Sequence, residues 1–122
     1  MRVLIVDDES LIASSLKIFL EDEGLTADTA ASGEEAVEVL QKDKGYDICI
    51  MDMRLPGMDG NAAMRSIHAI CPEVRFIVHT GSVNYIVPND LKRLGIMDGR
   101  LFQKPLADMA PIAEAIKSLK IS

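Results

Sequence analysis

The chain has 122 residues, of which 48% are hydrophobic and 26% charged, and its formal net charge is −6. This length fits one domain, residues 1–122, that can bury its own core, and the composition is that of an ordinary globular protein. The acidic balance and the 4% of aromatic residues argue against a nucleic-acid-binding surface, which needs positive charge and stacking rings.

The sequence carries no recognisable targeting or disulfide signal. Its apolar start reaches Asp7 after only four apolar residues, too few for a signal-peptide core, and no apolar run approaches membrane-spanning length. Cys49 and Cys71 lack metal-ligand spacing, so we expect both to be reduced, space-filling thiols. We therefore expect a cytoplasmic protein without membrane contact.

Strand-like and helix-like segments alternate along the first part of the chain. Val3–Val6 is an apolar, β-branched run typical of a strand buried on both faces. The apolar residues after it have helical spacing and predict an amphipathic helix. We expect this helix to end at Gly24, because glycine is common at the C-terminal end of helices. Leu25–Ala30 predicts a weaker strand. Ser32–Glu35 has the pattern of a capping box and opens a helix that we expect to stop at Gly45.

The same alternation continues in the middle of the chain. Ile48–Met51 predicts a second buried strand. Turn-forming residues at 56–60 mark a loop, and the helix after it is closed by Pro72. Val74–Thr80 predicts the fourth strand, so four strands precede the least regular part of the sequence.

Residues 81–99 are the least regular segment, because a proline there forbids one continuous helix. We expect a loop and then a short helix over Pro88–Leu94, followed by a brief strand at Arg100–Gln103. Asp108 can cap a last helix that tolerates Pro111 in its first turn. The buried stripe of that helix is expected to consist of Ile112, Ile116 and Leu119.

Five βα pairs in succession predict an α/β fold. Because strands and helices alternate and the strand runs are apolar, we expect a doubly wound five-stranded parallel sheet with helices on both faces. Ligands of such sheets bind beyond the carboxyl ends of the strands. The residues at those ends are therefore the candidates for function.

Five polar residues stand at the predicted strand ends: Asp7, Asp8, Asp52, Thr80 and Lys104. Carboxylates crowded together disfavour each other's ionisation unless a cation is present. Hard carboxylate oxygens suit Mg2+, and an ammonium group suits phosphate. These are the groups needed to move a phosphoryl group onto a carboxylate.

Each of these residues also has a purely structural interpretation. Asp7 and Asp8 could be helix-start residues, and Asp52 could be a turn residue. Only their joint placement at strand ends favours a site. His68 and His79 lack a partner pattern, so we interpret both as structural or solvent-facing.

Three segments resemble a known family. They are Val6–Glu9, Met51–Gly60 and Lys104–Pro105, and in this order they look like the receiver domain of bacterial two-component response regulators. The resemblance extends over essentially the whole chain. It implies a (βα)5 flavodoxin-like fold and a phosphorylation-activated signalling switch, a phosphoprotein rather than a classical enzyme.

The resemblance implies a role for each acidic residue. Asp52 would accept a phosphoryl group from a phosphohistidine. Asp8 and Asp52, with the main-chain carbonyl of Arg54, would bind Mg2+ directly, whereas Asp7 would act largely through water.

The resemblance also implies how the phosphoryl group is held and who the partners are. Thr80 would hydrogen-bond one phosphoryl oxygen and Lys104 would pair with another. The donor would be a sensor histidine kinase or a phosphotransfer protein, and the output would pass to a downstream protein or to an output domain missing after Ser122. The chain is thus a stand-alone receiver or part of a longer regulator, and homodimerisation is compatible with either.

The chain departs from the family pattern in the second half. Leu101 stands where receivers usually carry a switch aromatic, and Phe102 follows one residue later. Gly81 replaces a common alanine, and 24 positions separate Thr80 from Lys104, slightly more than usual. We hypothesise that Leu101 weakens the coupling, so that the output relies on rearrangement of residues 81–99.

Three other functions compete with this interpretation. A phosphatase with an aspartate nucleophile would need a carboxylate where Arg54 stands. A flavodoxin-like cofactor carrier would need a phosphate loop where the sequence has Asp7–Glu9, which repels phosphate unless a metal intervenes. The third alternative is a receiver-shaped interaction module with weak or no phosphorylation.

Overall fold

The computed structural model describes residues 1–53, 55, 57–81, 86–93, 101–104 and 109–121. Within them five strands alternate with five helices. In chain order these are β1 (Arg2–Val6), α1 (Ser10–Asp22), β2 (Thr26–Ala30), α2 (Gly33–Lys42), β3 (Ile48–Met51), α3 (Gly60–Ile70), β4 (Arg75–Thr80), α4 (Asn89–Lys92), β5 (Leu101–Gln103) and α5 (Ala110–Ile121).

The strands form one parallel sheet in the order β2-β1-β3-β4-β5. This order confirms the predicted doubly wound fold, because the chain builds the sheet in one direction from β1 and then in the other. The register pairs Val6 with Met51 and Val78 with Leu101, so neighbouring strands end at nearly the same level. Side chains that follow those ends are brought to one edge.

Two separate apolar clusters cover the two faces of the sheet. Leu4 and Val6 pack with residues of α2 and α3, whereas Val3 and Ile5 pack with residues of α1 and α5. Successive strand side chains point to opposite faces, so burial of both faces explains why the inner strand β3 is apolar at every position. Cys49 and Cys71 are buried free thiols, as expected.

The predicted bounds hold to within one residue for the first four strands. β3 is as predicted, and β1 begins one residue before Val3. β2 and β4 each begin one residue later than expected. Gly24 has φ +89, which confirms it as the left-handed residue that follows α1.

The capping box at the start of α2 is confirmed in one half and corrected in the other. Ser32 caps the helix, since its side chain accepts a hydrogen bond from the N–H of Glu35 at 3.1 Å. The carboxylate of Glu35, however, accepts from the N–H of Ala31 at 2.9 Å, one residue before the expected partner. Both bonds still satisfy free backbone donors at the helix start.

The predicted end of α2 at Gly45 is wrong, because the helix ends at Lys42. Asp43 is extended (φ −140, ψ 108), and its carboxylate accepts hydrogen bonds from the N–H of Gly45 and from the guanidinium of Arg2. A Cβ on Gly45 would lie 2.6 Å from that guanidinium. The glycine therefore serves the close approach of Arg2 rather than the end of the helix.

The loop before α3 is shorter than the turn residues suggested. Asp59 is the N-cap of α3, and its side chain accepts from the N–H of Ala62 at 2.8 Å. Gly60 is already helical. Pro56 lies outside the described residues.

The irregular segment contains the expected short helix, with Pro88 as the N-cap of α4. Pro111 falls in the first turn of α5 as predicted, and Ile112 and Ile116 are fully buried. Leu94, Arg100, Asp108 and the side chain of Leu119 lie outside the described part of the chain.

Among the described residues, no helix is long and apolar enough to cross a membrane.

Candidate functional site

Asp7 and Asp52 lie side by side at the carboxyl edge of the sheet. Each directly follows a strand, and the register Val6↔Met51 places the two strand ends together. The backbone is fixed on both sides, because the N–H of Asp52 donates to the carbonyl of Val6 at 3.0 Å and the N–H of Asp7 donates to the carbonyl of Ala30 at 3.0 Å. Both aspartates are buried, so these two predicted site residues are held rigidly.

Lys104 joins the two aspartates from the far side of the sheet. Its backbone N–H donates to the carbonyl of Thr80 at 2.8 Å, which fixes it one position beyond β5. Its Nζ lies 2.7 Å from Asp7 Oδ2 and 3.1 Å from Asp52 Oδ2. Thr80 is completely buried at the end of β4. Four of the predicted residues are thus gathered at one edge.

A third carboxylate on Lys104 was not among the predicted site residues. Glu9 Oε1 lies 2.9 Å from Lys104 Nζ. Glu9 occupies the N-cap position of α1, yet its side chain makes no capping hydrogen bond. The available signal was its place directly after Asp7 and Asp8, but an acidic residue before a helix is ordinarily explained by the helix itself.

Burial and ion pairing oppose each other in this cluster. Burial raises the pKa of Asp7, and the hydrogen bonds from Lys104 and from the N–H of Glu9 only partly counteract it. Burial lowers the pKa of Lys104, but the hydrogen bonds to Asp7, Glu9 and Asp52 outweigh it and hold that pKa above its ordinary value. Lys104 is therefore a permanent cation that three carboxylates share.

The acidic residues at this edge fit a divalent cation. One carboxylate oxygen from each of Asp7, Asp8, Glu9 and Asp52 lies within 4.8 Å of the others. Two of these groups are buried and two are exposed, so an ion would have both fixed ligands and access to water. Oxygen ligands with several retained waters are the set that Mg2+ prefers. Arg54, the expected carbonyl ligand, lies outside the described residues.

Phe102 is separated from Thr80 by the sheet. It pairs in register with His79 and packs with the cluster on the α1 and α5 side. Thr80 shares the opposite face with Phe76 and Val78, because side chains alternate along a strand. Phe102 therefore does not stand behind Thr80, and the side chain of Leu101 lies outside the described residues.

His79 is buried next to the site, which confirms a structural position for it. It is 3% exposed, and neither ring nitrogen has a hydrogen-bond partner among the described residues. Burial is the first reason that the pKa of His79 falls to about 4, and the charge of Lys104 adds to the shift. The imidazole is therefore neutral at pH 7.

The loop after Asp52 is fixed by packing and by α2. Met53 is buried and Met58 packs against the same apolar cluster, so both methionines are packing residues. The carboxylate of Glu34 accepts from the N–H of Met58 at 3.3 Å. This contact ties the loop that begins at Asp52 to the first turn of α2.

A comparison with family models identifies one match. The model described as "Response regulator receiver domain" covers residues 3–117. Among curated proteins, sporulation initiation phosphotransferase F of Bacillus subtilis is 31% identical over 95% of this chain and 90% of its own length. The alginate biosynthesis regulator AlgB of Pseudomonas aeruginosa is 32% identical over 80% of this chain, and the cell cycle regulator CtrA of Brucella ovis is 30% identical over 86%. The chain spans only 21% of AlgB and 44% of CtrA.

Solved structures agree with this match. The CheX–CheY complex with BeF3 and Mg2+ from Borrelia burgdorferi has a TM-score of 0.87 at 29% identity, covering 100% of this chain and 90% of that one. The response regulator TrrA of Thermotoga maritima, in complex with Mg2+ and BeF, has a TM-score of 0.80 at 30% identity and covers 97% of both chains. Both similar proteins were solved with magnesium and a beryllium fluoride.

Proposed function

The chain belongs to the response regulator receiver domain family, and on that premise we propose that Asp52 is the residue that accepts the phosphoryl group. As a receiver domain the protein is a phosphorylation-activated signalling switch of two-component systems, and its metal cofactor is Mg2+. The proposal extends this family function to individual residues and to the chain 1–122 as one phosphoacceptor domain.

The observation that carries the proposal is the contact of Lys104 with Asp52 at 3.1 Å inside a buried cluster. A buried carboxylate beside a fixed ammonium is a nucleophile with a positive charge already placed for the incoming phosphoryl oxygens. The hydroxyl of Thr80, at the end of the neighbouring strand, is suited to donate a hydrogen bond to another of those oxygens.

The reaction joins an oxygen of Asp52 to phosphorus while the bond from phosphorus to the donor breaks. When the donor is a phosphohistidine on a sensor histidine kinase or phosphotransfer protein, the P–N bond breaks and the released imidazole takes up a proton. Bound Mg2+ would neutralise phosphoryl charge during this transfer. Asp8 and Asp52 would hold the ion, with Asp7 acting largely through water.

We propose that the chain catalyses only its own phosphorylation and dephosphorylation and acts in the cytoplasm. The phosphoryl group replaces the single charge of Asp52 with about −1.5 to −2 and adds acceptor oxygens. Lys104 and Thr80 are then drawn toward those oxygens, which biases the surface formed by α4, β5 and α5. A downstream protein, or an output domain of a longer regulator, would read that surface.

The test is intact-mass analysis after incubation with Mg2+ and a small acyl phosphate. The parent protein and Asp59→Asn should each gain one phosphoryl group, and Asp52→Asn should gain none. Asp59→Asn is the matched control, because Asp59 lies in the same loop and caps α3, a role that asparagine also fills. Equal labelling of Asp52→Asn, or no labelling of the parent, would contradict the assignment.

A further inference from the structure

We infer that Glu9 is a positioning residue that competes with the phosphoryl group for the ammonium of Lys104. The inference rests on the proposed function and adds a regulatory contact to it. Glu9 holds Lys104 in the unphosphorylated protein and releases it when Asp52 is phosphorylated, which frees an N–H for a second phosphoryl oxygen. It therefore sets how readily the phosphorylated state forms.

All three N–H groups of Lys104 already have carboxylate oxygens within reach. Asp7 Oδ2 lies at 2.7 Å, Glu9 Oε1 at 2.9 Å and Asp52 Oδ2 at 3.1 Å from Nζ. An ammonium group has three donors and no acceptor. The phosphoryl group on Asp52 takes over the Asp52 contact, and a second phosphoryl oxygen can bind Lys104 only if Asp7 or Glu9 releases an N–H.

Glu9 is the carboxylate that leaves at the lowest cost. Its side chain is 56% exposed, whereas those of Asp7 and Asp52 are each 4% exposed. Water replaces the lost ammonium contact for the exposed Glu9, whereas the buried Asp7 would lose a charged partner that water cannot replace. The exchange of partners on Lys104 is thus directed to Glu9.

The backbone around Glu9 is fixed while its side chain is not. Its N–H donates to Asp7 Oδ1 at 2.9 Å, and its carbonyl accepts the first helical hydrogen bond from Ala13 at 3.0 Å. Its carboxylate does not cap α1, so the helix start loses nothing when this side chain turns away from Lys104. The release needs only side-chain rotation.

Charge favours the same direction of exchange. The four clustered carboxylates and Lys104 sum to −3 when all are ionised, and Mg2+ reduces this to −1. Phosphorylation makes the site more negative again. Departure of Glu9 into water removes a negative charge from the neighbourhood of the phosphoryl oxygens and frees an N–H of Lys104 for them.

The test compares the parent with Glu9→Gln, Glu9→Asp and the control Glu21→Gln. Glu9→Gln removes the charge, whereas Glu9→Asp keeps the charge but is one methylene too short to reach Lys104. Glu21→Gln makes the same change in net charge elsewhere on α1, where Glu21 contacts Lys17 at 3.4 Å. Beryllium fluoride affinity is measured in Mg2+ by NMR titration. Hydrogen exchange of the Lys104 ammonium is measured in metal-free protein.

Both Glu9 variants should bind beryllium fluoride about threefold to tenfold more tightly than the parent, the effect expected for losing one half-exposed charged hydrogen bond. Their Lys104 ammonium should exchange faster, and Glu21→Gln should match the parent in both measurements. Tighter beryllium fluoride binding by Glu9→Gln with unchanged binding by Glu9→Asp would overturn the inference. The negative charge of Glu9, and not its contact with Lys104, would then explain the difference in affinity. Weaker binding by both variants would also overturn it. A parent that binds no beryllium fluoride would instead refute the proposed function, and the inference with it.

Discussion

The two ends of the sheet hold ion pairs of nearly equal length in opposite surroundings. At the carboxyl end, Lys104 Nζ lies 2.7 Å from Asp7 Oδ2, and the two side chains are 8% and 4% exposed. At the amino end, Arg2 Nη2 lies 2.8 Å from Asp43 Oδ2, and the side chains are 35% and 49% exposed. Distance alone therefore does not separate a functional charge pair from a surface one, whereas burial does.

The amino end uses its charges to fasten segments together. The guanidinium of Arg2 lies 4.2 Å from the centre of the Tyr46 ring, and the hydroxyl of Tyr46 donates to Asp28 at 2.7 Å. Burial, followed by the bond to Asp28, raises the pKa of Tyr46 to about 12, so its hydroxyl stays a donor at physiological pH. These contacts join β1 and β2 to the segment before β3, and solvent screens them.

The largest effect should come from removing the cation at the buried end. Lys104→Met leaves Asp7 and Asp52 buried without their shared partner, which should lower the free energy of unfolding by about 3 kcal/mol in the absence of Mg2+. Urea denaturation with and without Mg2+ measures this loss, and Mg2+ should restore part of it. An unchanged midpoint would mean that the buried carboxylates do not depend on Lys104.

Magnesium should stabilise the molecule through the carboxyl end alone. At ten times its dissociation constant, a ligand of the folded state contributes about 1.4 kcal/mol. Melting curves should show this gain for the parent and for Asp47→Asn, whose carboxylate accepts from the N–H of Arg2 at the amino end, but not for Asp8→Asn. An equal gain in Asp8→Asn would contradict the predicted metal site.

The next smaller effect concerns His79, the uncharged polar group buried beside the site. His79→Val should raise the free energy of unfolding by about 1 kcal/mol at pH 7, because the parent buries a polar ring without a partner among the described residues. The pKa of His79 is depressed from 6.5 to about 4, so the unfolded chain binds the proton first as pH falls. The parent should therefore lose more stability than the variant between these two values. Parallel urea midpoints of the two proteins across that range would count against this account.

The smallest effect should come from the exposed pair at the amino end. Asp43→Asn removes the charge that lies beside Arg2, but water and salt already screen that pair. The unfolding midpoint of Asp43→Asn should change much less than that of Lys104→Met. At high salt, Asp43→Asn and the parent should have the same midpoint. A loss as large as that of Lys104→Met would break the contrast between the two ends.

The sheet and most of the site were predictable because their signals are local. Ile48–Met51 is apolar at every position, as a strand covered on both faces must be, and Asp52 follows it directly. The parallel fold then places Asp7 and Lys104 at the same edge without further information. The role of Gly24 was equally predictable from the sequence, since its neighbours along the chain define the end of α1.

The features that the sequence did not reveal depend on distant partners. Glu9 meets Lys104 from 95 positions away, and nothing in its local sequence distinguishes it from a residue that starts a helix. Directly after the early end of α2, Asp43 contacts Arg2, which lies 41 positions away. The sequence around Gly45 indicated a helix end. The actual need for a glycine there is the space that the Arg2 side chain occupies, and this need leaves no pattern in the neighbouring residues.

Chemical mapping of the phosphorylated residue tests the central claim most directly. Borohydride reduces an aspartyl phosphate to homoserine, which marks the modified position for peptide sequencing by mass spectrometry. After incubation with Mg2+ and a small acyl phosphate, the account predicts homoserine at Asp52 and none at Asp43 or Asp47. Homoserine at either aspartate of the amino end, or at Asp7 in place of Asp52, would contradict it.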